Sequence, residues 1–329
     1  MKRRGKTTIL LGLGVLTATI LFLLAKDGLP GSTFRYDPAK AVHSKLSGDQ
    51  AFEHVKTIVA FGQRHPGSDG ILKSRGYIRA ELAKVGWFMR GDTFGEESPR
   101  GHMKFTNLHA RLGKDDSAFS SVAEVIVGSH YDTKDMPGRN FVGANDGGSS
   151  TGLLIEMARA LATNPDLAKR IELVFFDGEE AVKPHITATD GLYGSRHLAE
   201  KLRVLPKDER PPSVVIFDMI GDVNLDVGIP SNTDREMTQG VFKASEELGY
   251  RKFFAKAGEI RDDHLPFQDN GFRTTNIIDL NYKPYWHTSE DTIDRVSPKS
   301  LEITGRTGLL FIEKYLLGGG GEEDPTKGP

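Results

Sequence analysis

A pair of adjacent glutamates, Glu179 and Glu180, follows the apolar run Ile171 to Phe176 in the segment IELVFFDGEEA. Such a run is typical of a buried strand, and its end brings both carboxylates to the edge of a sheet. Because neighbouring side chains of an extended chain point in opposite directions, one glutamate can bind a cation while the other moves protons. A solvated acidic pair on a helix surface is the alternative, and the apolar run argues against it.

Two further segments carry candidate metal ligands. His130 and Asp132 follow the apolar run Val122 to Val127, and residues two apart in an extended chain lie on the same side. A polar strand end is the alternative for this pair. Asp146 lies in the glycine-rich segment FVGANDGGSSTG, before a predicted helix. Its carboxylate suits a metal ion, and helix capping or turn formation is the alternative.

Three aspartates extend the acidic set. Asp218 ends the apolar strand of VVIFDMIGD, where a buried charge is costly unless it is paired or coordinated. Asp262 and Asp263 precede His264 in RDDHLPF, and like charges this close raise the pKa of at least one carboxyl group, which suits proton transfer. Capping of a short helix that begins at His264 is the alternative.

A histidine, His287, lies in the segment YWHT after the last predicted strand. One histidine beside an aromatic residue is more often structural than a ligand, but this one belongs to a set spread over successive strand ends. The chain has no cysteine, so a metal site must be built from His, Asp and Glu, which suits catalytic zinc. With Glu179 as a base, the candidate ligands are His130, Asp146, Glu180, Asp218 and His287.

Apolar strands and amphipathic helices alternate along the chain. The spacing predicts helices at Gln50 to Ala60, Ile71 to Val85, Thr151 to Ala162, Leu192 to Leu202, Arg235 to Leu248 and Pro298 to Leu317. Strands are predicted at Lys104 to Leu112, Val122 to Val127, Ile171 to Phe176, Ser213 to Ile220 and Thr275 to Leu280. This order predicts an α/β fold, a single domain with a central mixed, mostly parallel β-sheet flanked by helices, whose site lies outside the carboxyl ends of the strands.

The composition and the N-terminus bound the function further. The formal net charge of −2 gives no global basic field, so no nucleic-acid partner is expected. Basic residues within residues 1–6 precede an uncharged apolar run at 7–25, which predicts a cytoplasmic N-terminus and a transmembrane anchor or signal sequence. The rest would be exported, either membrane-anchored or, after cleavage, secreted. A linker at 26–35, a catalytic domain at 36–317 and a flexible tail at 318–329 complete the predicted organisation.

A series of motifs resembles the glutaminyl-peptide cyclotransferases of the M28 zinc-peptidase superfamily: HYD, FVGAND, FFDGEEA, LYGSRHLAEKL, FDMIGD, DDHLPF and YWHT. The resemblance covers the whole predicted catalytic domain and implies the α/β/α sandwich of the zinc aminopeptidases. It implies one zinc ion, and substrates that are peptides or proteins with an N-terminal glutamine, converted to pyroglutamate with release of ammonia.

The same resemblance implies the roles of individual residues. The zinc ligands would be Asp146, Glu180 and His287. Glu179 would be the acid and base, Asp218 and Asp262 its hydrogen-bonded acidic partners, and Trp286 the aromatic that places the substrate. His130 has a counterpart that does not bind the single zinc. In two respects the chain departs from the animal cyclases, because it cannot form their disulfide and has Asn276 where they carry a histidine.

Two alternatives stay open. In a two-zinc aminopeptidase, His130 and Asp218 would complete a second metal site, and Glu179 would deprotonate a bridging water. Trp286 and Asp262 favour the cyclase. A non-catalytic binding domain of the same fold is the other alternative, but such a domain would be expected to lack some of the ligands, and none is missing here.

Overall fold

The computed structural model describes residues 34–282 and 285–319. Contacts divide the chain into Met1–Phe34, of which only Phe34 is described, and a unit that starts at Arg35. The predicted basic N-terminus and the anchor or signal sequence at 7–25 therefore lie outside the described residues, as does most of the tail. Among the described residues, no helix combines the length and the apolar character that crossing a membrane requires.

Eight strands of the described chain form one mixed sheet in the order β1-β2-β4-β3-β5-β8-β6-β7. They are β1 Trp87–Ser98, β2 Gly101–Leu112, β3 Val125–His130, β4 Ile171–Phe176, β5 Ser213–Asp218, β6 Val227–Ile229, β7 Phe254–Lys256 and β8 Arg273–Ile278. The four central strands β4, β3, β5 and β8 run parallel, and β2 joins β4 in the antiparallel direction. The predicted mixed, mostly parallel sheet is confirmed.

The helices are α1 Gly48–Ala60, α2 Asp69–Lys84, α3 Gly148–Leu161, α4 Pro165–Ala168, α5 Tyr193–Arg203, α6 Arg235–Glu247, α7 His264–Asp269 and α8 Pro298–Leu310. A π-helix, Phe311–Leu316, continues α8. Side-chain caps begin several of them, for example Ser47 at α1 and Asp234 at α6, each of which accepts a main-chain N–H three residues on.

Both faces of the central sheet are covered, and strand alternation decides which residues meet which helices. On β5, Val214 and Ile216 belong to the same buried cluster as Leu198 of α5 and Phe267 of α7. Phe217 points the other way, where it lies so close to α8 that a Cβ at Gly308 would come within 2.4 Å of its ring. Because β3 and β5 are buried along their whole length, their carboxyl ends are fixed rigidly.

Candidate metal centre and catalytic carboxylates

The carboxyl ends of the parallel strands meet around one cavity of about 300 Å³. His130 ends β3, Asp218 ends β5, and the two glutamates follow β4. The lining includes Asp146, Glu179, Glu180, Asp218, Asp262, Trp286 and His287. The structure therefore brings together at one sheet edge the residues that the sequence analysis selected, as expected for an α/β sheet.

One cluster consists of Asp146, Glu180 and His287. Nε2 of His287 lies 3.3 Å from Oδ2 of Asp146 and 3.2 Å from Oε1 of Glu180. Oδ2 of Asp146 is buried without a hydrogen-bond partner. Nitrogen and oxygen ligands of a tetrahedral zinc ion lie roughly 3.3 Å from one another, and both distances from His287 match that spacing. N-capping does not explain Asp146, because the N-cap of α3 is Gly147.

Electrostatics in this cluster favour a cation. Burial opposes ionisation of His287, but Glu180 and Asp146 outweigh it and raise the pKa of the imidazole to about 10. Burial would raise the pKa of Asp146, yet the flanking His130 and His287 hold that pKa well below its usual range. Charges that stabilise a proton on His287 would equally stabilise a metal ion between the three side chains. His287 also has a positive φ of 55°, a strained conformation that is common at functional sites.

A second cluster consists of His130, Asp146 and Asp218. Nε2 of His130 lies 3.1 Å from Oδ1 of Asp218 and 3.3 Å from Oδ1 of Asp146. Nδ1 of the same ring lies 3.4 Å from Oδ1 of Asp132, which confirms that His130 and Asp132 face the same side. Asp146 thus turns one carboxylate oxygen to each cluster, and the geometry accommodates either one metal ion or two.

The two glutamates are held by a turn and not by the strand, which ends at Phe176. Gly178 has a φ of 70°, and Asp132 accepts the main-chain N–H groups of Glu179 and Glu180 at 3.2 and 3.3 Å. The strand alternation expected from the sequence is therefore not what separates them. Glu180 contacts His287, whereas Glu179 lines the cavity beside it.

The pKa of Glu179 is raised well above its ordinary value, first by burial and then by Glu180 and Asp262, against the opposing effect of His130. Burial also raises the pKa of Asp218 to about 7, with a contribution from Asp262. Asp262 thus acts on both carboxyl groups. A buried carboxyl group whose pKa is raised in this way holds a proton more readily near neutral pH, which is the property expected of an acid and base site.

Asp262 is buried and accepts a hydrogen bond of 2.6 Å from Nδ2 of Asn276 on β8. The residue that departs from the animal cyclases therefore contacts the predicted catalytic aspartate directly. Asp263 is the residue just before α7, and its side chain makes no capping hydrogen bond, so helix capping does not explain it. Burial and Asp262 raise the pKa of the Asp263 carboxyl well above its usual range.

Two buried cationic side chains near the site, Lys134 and Arg64, were assigned no role from the sequence. Lys134 is buried, with Nζ 3.5 Å from Oε2 of Glu180 and a hydrogen bond of 2.6 Å to the carbonyl of Ala181. Arg64 is fully buried and donates to the carbonyls of Tyr131 and Gly143 at 3.0 and 2.9 Å. The only signals in the sequence are that Lys134 lies two residues after HYD and that Arg64 begins RHPGS.

Trp286 lies at the mouth of the cavity with 39% of its surface exposed. Its ring stacks on that of His287, with centroids 4.0 Å apart and planes inclined by 25°. Leu280, equally exposed at 39%, lines the same cavity. The site is therefore a pit of carboxylates with an apolar, aromatic rim, and such a rim can hold the carbon chain of a ligand.

The sequence model of peptidase family M28 matches residues 107–312, well over half of the chain. The chain belongs to peptidase family M28. Glutaminyl cyclases are among its relatives, and the resemblance based on the motifs is confirmed. It is 29% identical to the glutaminyl-peptide cyclotransferase of Bos taurus, over 77% of this chain and 79% of that relative.

The solved structures that resemble this chain also include glutaminyl cyclases. A glutaminyl cyclase from an Acidobacteriales bacterium is 33% identical, with a TM-score of 0.72 and coverage of 87% of this chain and 97% of that one. A glutaminyl cyclase from Macrostomum lignano is 25% identical, also with a TM-score of 0.72, and covers 86% of this chain and 94% of that one. The M28 chain described here therefore spans almost the full length of these cyclases.

Proposed function

We propose that this enzyme is a zinc-dependent glutaminyl-peptide cyclotransferase that converts the N-terminal glutamine of peptides and proteins to pyroglutamate and releases ammonia. The observation that carries the proposal is the 33% identity to the Acidobacteriales glutaminyl cyclase over 97% of that chain. The exposed aromatic rim at Trp286, above buried carboxylates, supports it.

In this proposal Asp146, Glu180 and His287 hold one zinc ion. Their nitrogen and oxygen donors, all within 4.8 Å of one another, are the ligand types that catalytic zinc uses. Zinc, when bound, supplies a Lewis acid for the γ-amide carbonyl of the substrate glutamine.

Glu179 moves the proton. The neutral α-amine of the substrate attacks the side-chain carbonyl carbon, Cδ, and as this C–N bond forms, Glu179 accepts a proton from the amine. It then delivers that proton to the amide nitrogen, Nε2, as the Cδ–Nε2 bond breaks and ammonia leaves. A carboxyl group whose pKa is raised by burial is suited to both halves of this transfer. Asp218 and Asp262 tune and orient it.

Trp286 closes one wall of the pocket so that the glutamine side chain folds back onto its own amine, a proximity effect. Replacing Trp286 by alanine should lower kcat/KM for a Gln-initiated peptide roughly 10–100-fold, because an aromatic contact stabilises by about 1.5–3 kcal/mol. Trp286→Phe keeps an aromatic wall and is the matched control. Bound zinc, measured by atomic emission, should be unchanged in both variants. An alanine variant with the kinetics of the native enzyme would contradict this role.

A two-metal aminopeptidase is the second candidate, because His130, Asp146 and Asp218 form a further cluster that could hold a metal ion. One assay separates the two. The purified protein is incubated with a Gln-initiated and a Leu-initiated peptide, while ammonia, free amino acid and bound zinc are measured. We expect ammonia from the first peptide and one zinc ion per chain. Released leucine together with two zinc ions would instead establish the aminopeptidase.

A further inference from the structure

One buried carboxylate outside the ligand set binds the segment that carries Asp146. Oδ1 of Asp291 accepts the main-chain N–H of Asn145 at 2.8 Å, and Oδ2 accepts the main-chain N–H of Asp146 itself at 3.1 Å. The hydroxyl of Tyr282 donates to Oδ1 at 2.7 Å. Asp291 has no exposed surface, so these contacts are shielded from water and fix its carboxylate.

The same residue connects two ligand loops. Asp291 lies four residues after His287, and its carbonyl accepts the main-chain N–H of Ala144 at 3.3 Å. Three successive amides, at residues 144, 145 and 146, therefore donate to Asp291. The loop that presents the imidazole thus holds the loop that presents the shared aspartate.

Asn145 carries this constraint to the strand end of Asp218. Its Nδ2 donates to the carbonyl of Met219 at 3.3 Å, and its Oδ1 accepts the N–H of Gly221 at 2.8 Å. Met219 directly follows Asp218 and has a φ of 48°. A non-glycine residue in this conformation is strained and persists only where its surroundings fix it.

We propose that Asp291 is a positioning residue for the metal centre, which sets the direction of Asp146 and couples the loops of Asp146, Asp218 and His287. This inference rests on the metal centre of the proposed function. It assigns Asp291 no contact with substrate. Outer-shell partners of metal ligands typically contribute about 10–100-fold to metal affinity, and this is the effect expected here.

The test is zinc affinity, measured by competition with a chromophoric chelator. Asp291→Asn keeps the size of the side chain but replaces one accepting oxygen by an NH₂ group, which cannot accept a main-chain N–H. We expect its zinc affinity to fall about 10–100-fold. Tyr282→Phe removes a single hydrogen bond to Asp291 and should give a smaller loss, which keeps the test informative if Asp291→Asn folds poorly.

Asp279→Asn is the matched control. Asp279 is also fully buried and also accepts two main-chain N–H groups, from Asp226 and Asn281 at 2.8 and 2.9 Å, but neither donor residue is a ligand. Its replacement should lower the melting temperature and leave zinc affinity within about twofold of the native value. Equal zinc affinity in Asp291→Asn and the native protein, or equal losses in Asp291→Asn and Asp279→Asn, would overturn the inference. A native protein that binds no zinc would instead overturn the metal centre itself.

Discussion

Replacing Glu179 by glutamine is expected to lower kcat for a Gln-initiated peptide by about 10²–10⁴, the range that a positioned acid or base contributes. The amide has nearly the shape of the carboxyl group but cannot accept the proton of the attacking amine. It also cannot deliver a proton to the leaving nitrogen. Zinc should remain bound in full, because Glu179 lies outside the cluster of Asp146, Glu180 and His287.

The next residue provides the matched control. Glu180→Gln is the same chemical change one position along the chain, in the same turn held by Asp132. It should lose zinc as well as activity, because Oε1 of Glu180 is one of the three donor atoms around the proposed ion. Steady-state kinetics and zinc content measured on both variants test whether Glu179 transfers protons and Glu180 binds the metal ion. If Glu179→Gln retains activity, or if it loses zinc as Glu180→Gln does, the assigned role of Glu179 is wrong.

The strands that carry the site could be predicted because they are buried and therefore consist mainly of apolar residues. Ile171 to Phe176 was predicted as a strand, and β4 has those bounds. The strand β1 was missed, since most of its residues are at least partly exposed and it pairs with β2 through the backbone. The predicted strand Ser213 to Ile220 ends instead at Asp218, because the positive φ of Met219 interrupts the extended chain.

The last helix differs from its prediction for a local reason. Apolar spacing predicted one helix from Pro298 to Leu317, but the α-helix ends at Leu310 and a π-helix follows. Hydrophobic spacing reports which side of a segment is buried, and it does not distinguish these two hydrogen-bonding patterns.

The candidate ligands at the strand ends could be predicted from the sequence, but the long-range contacts that position them could not. Asp146, Glu180 and His287 were among the five candidate ligands selected from their types and places, and the resemblance narrowed the set to these three. In the structure His287 lies 3.3 Å from Asp146 and 3.2 Å from Glu180. Asp291 could not be found in this way, because its partner Asp146 lies 145 residues earlier in the chain. Asn276 was noticed only as a departure from the animal cyclases, and only the structure shows that it donates a hydrogen bond to Asp262.

Each of the two clusters contains one histidine, His287 in the first and His130 in the second. Replacing each histidine in turn therefore tests how many metal ions the site holds, and the larger effect is expected at His287. His287→Ala removes the only imidazole of the Asp146, Glu180 and His287 cluster and should lower zinc affinity by more than about 100-fold, beyond the loss typical of an outer-shell change. Activity should fall with it, since the Lewis acid is lost.

His130→Ala is the matched change in the second cluster, where the imidazole also lies 3.3 Å from an oxygen of Asp146. If the enzyme works with one zinc ion, this variant should keep one ion per chain. Oδ2 of Asp146, which faces His287, is unaffected by the change and would still hold the ion together with Glu180 and His287. Zinc stoichiometry of the native protein and both variants, measured together with ammonia release, distinguishes the cases. Two ions in the native protein and one in His130→Ala would contradict the single-zinc centre, since Asp146 would then bridge two metals with Glu179 beside them as the base for a water.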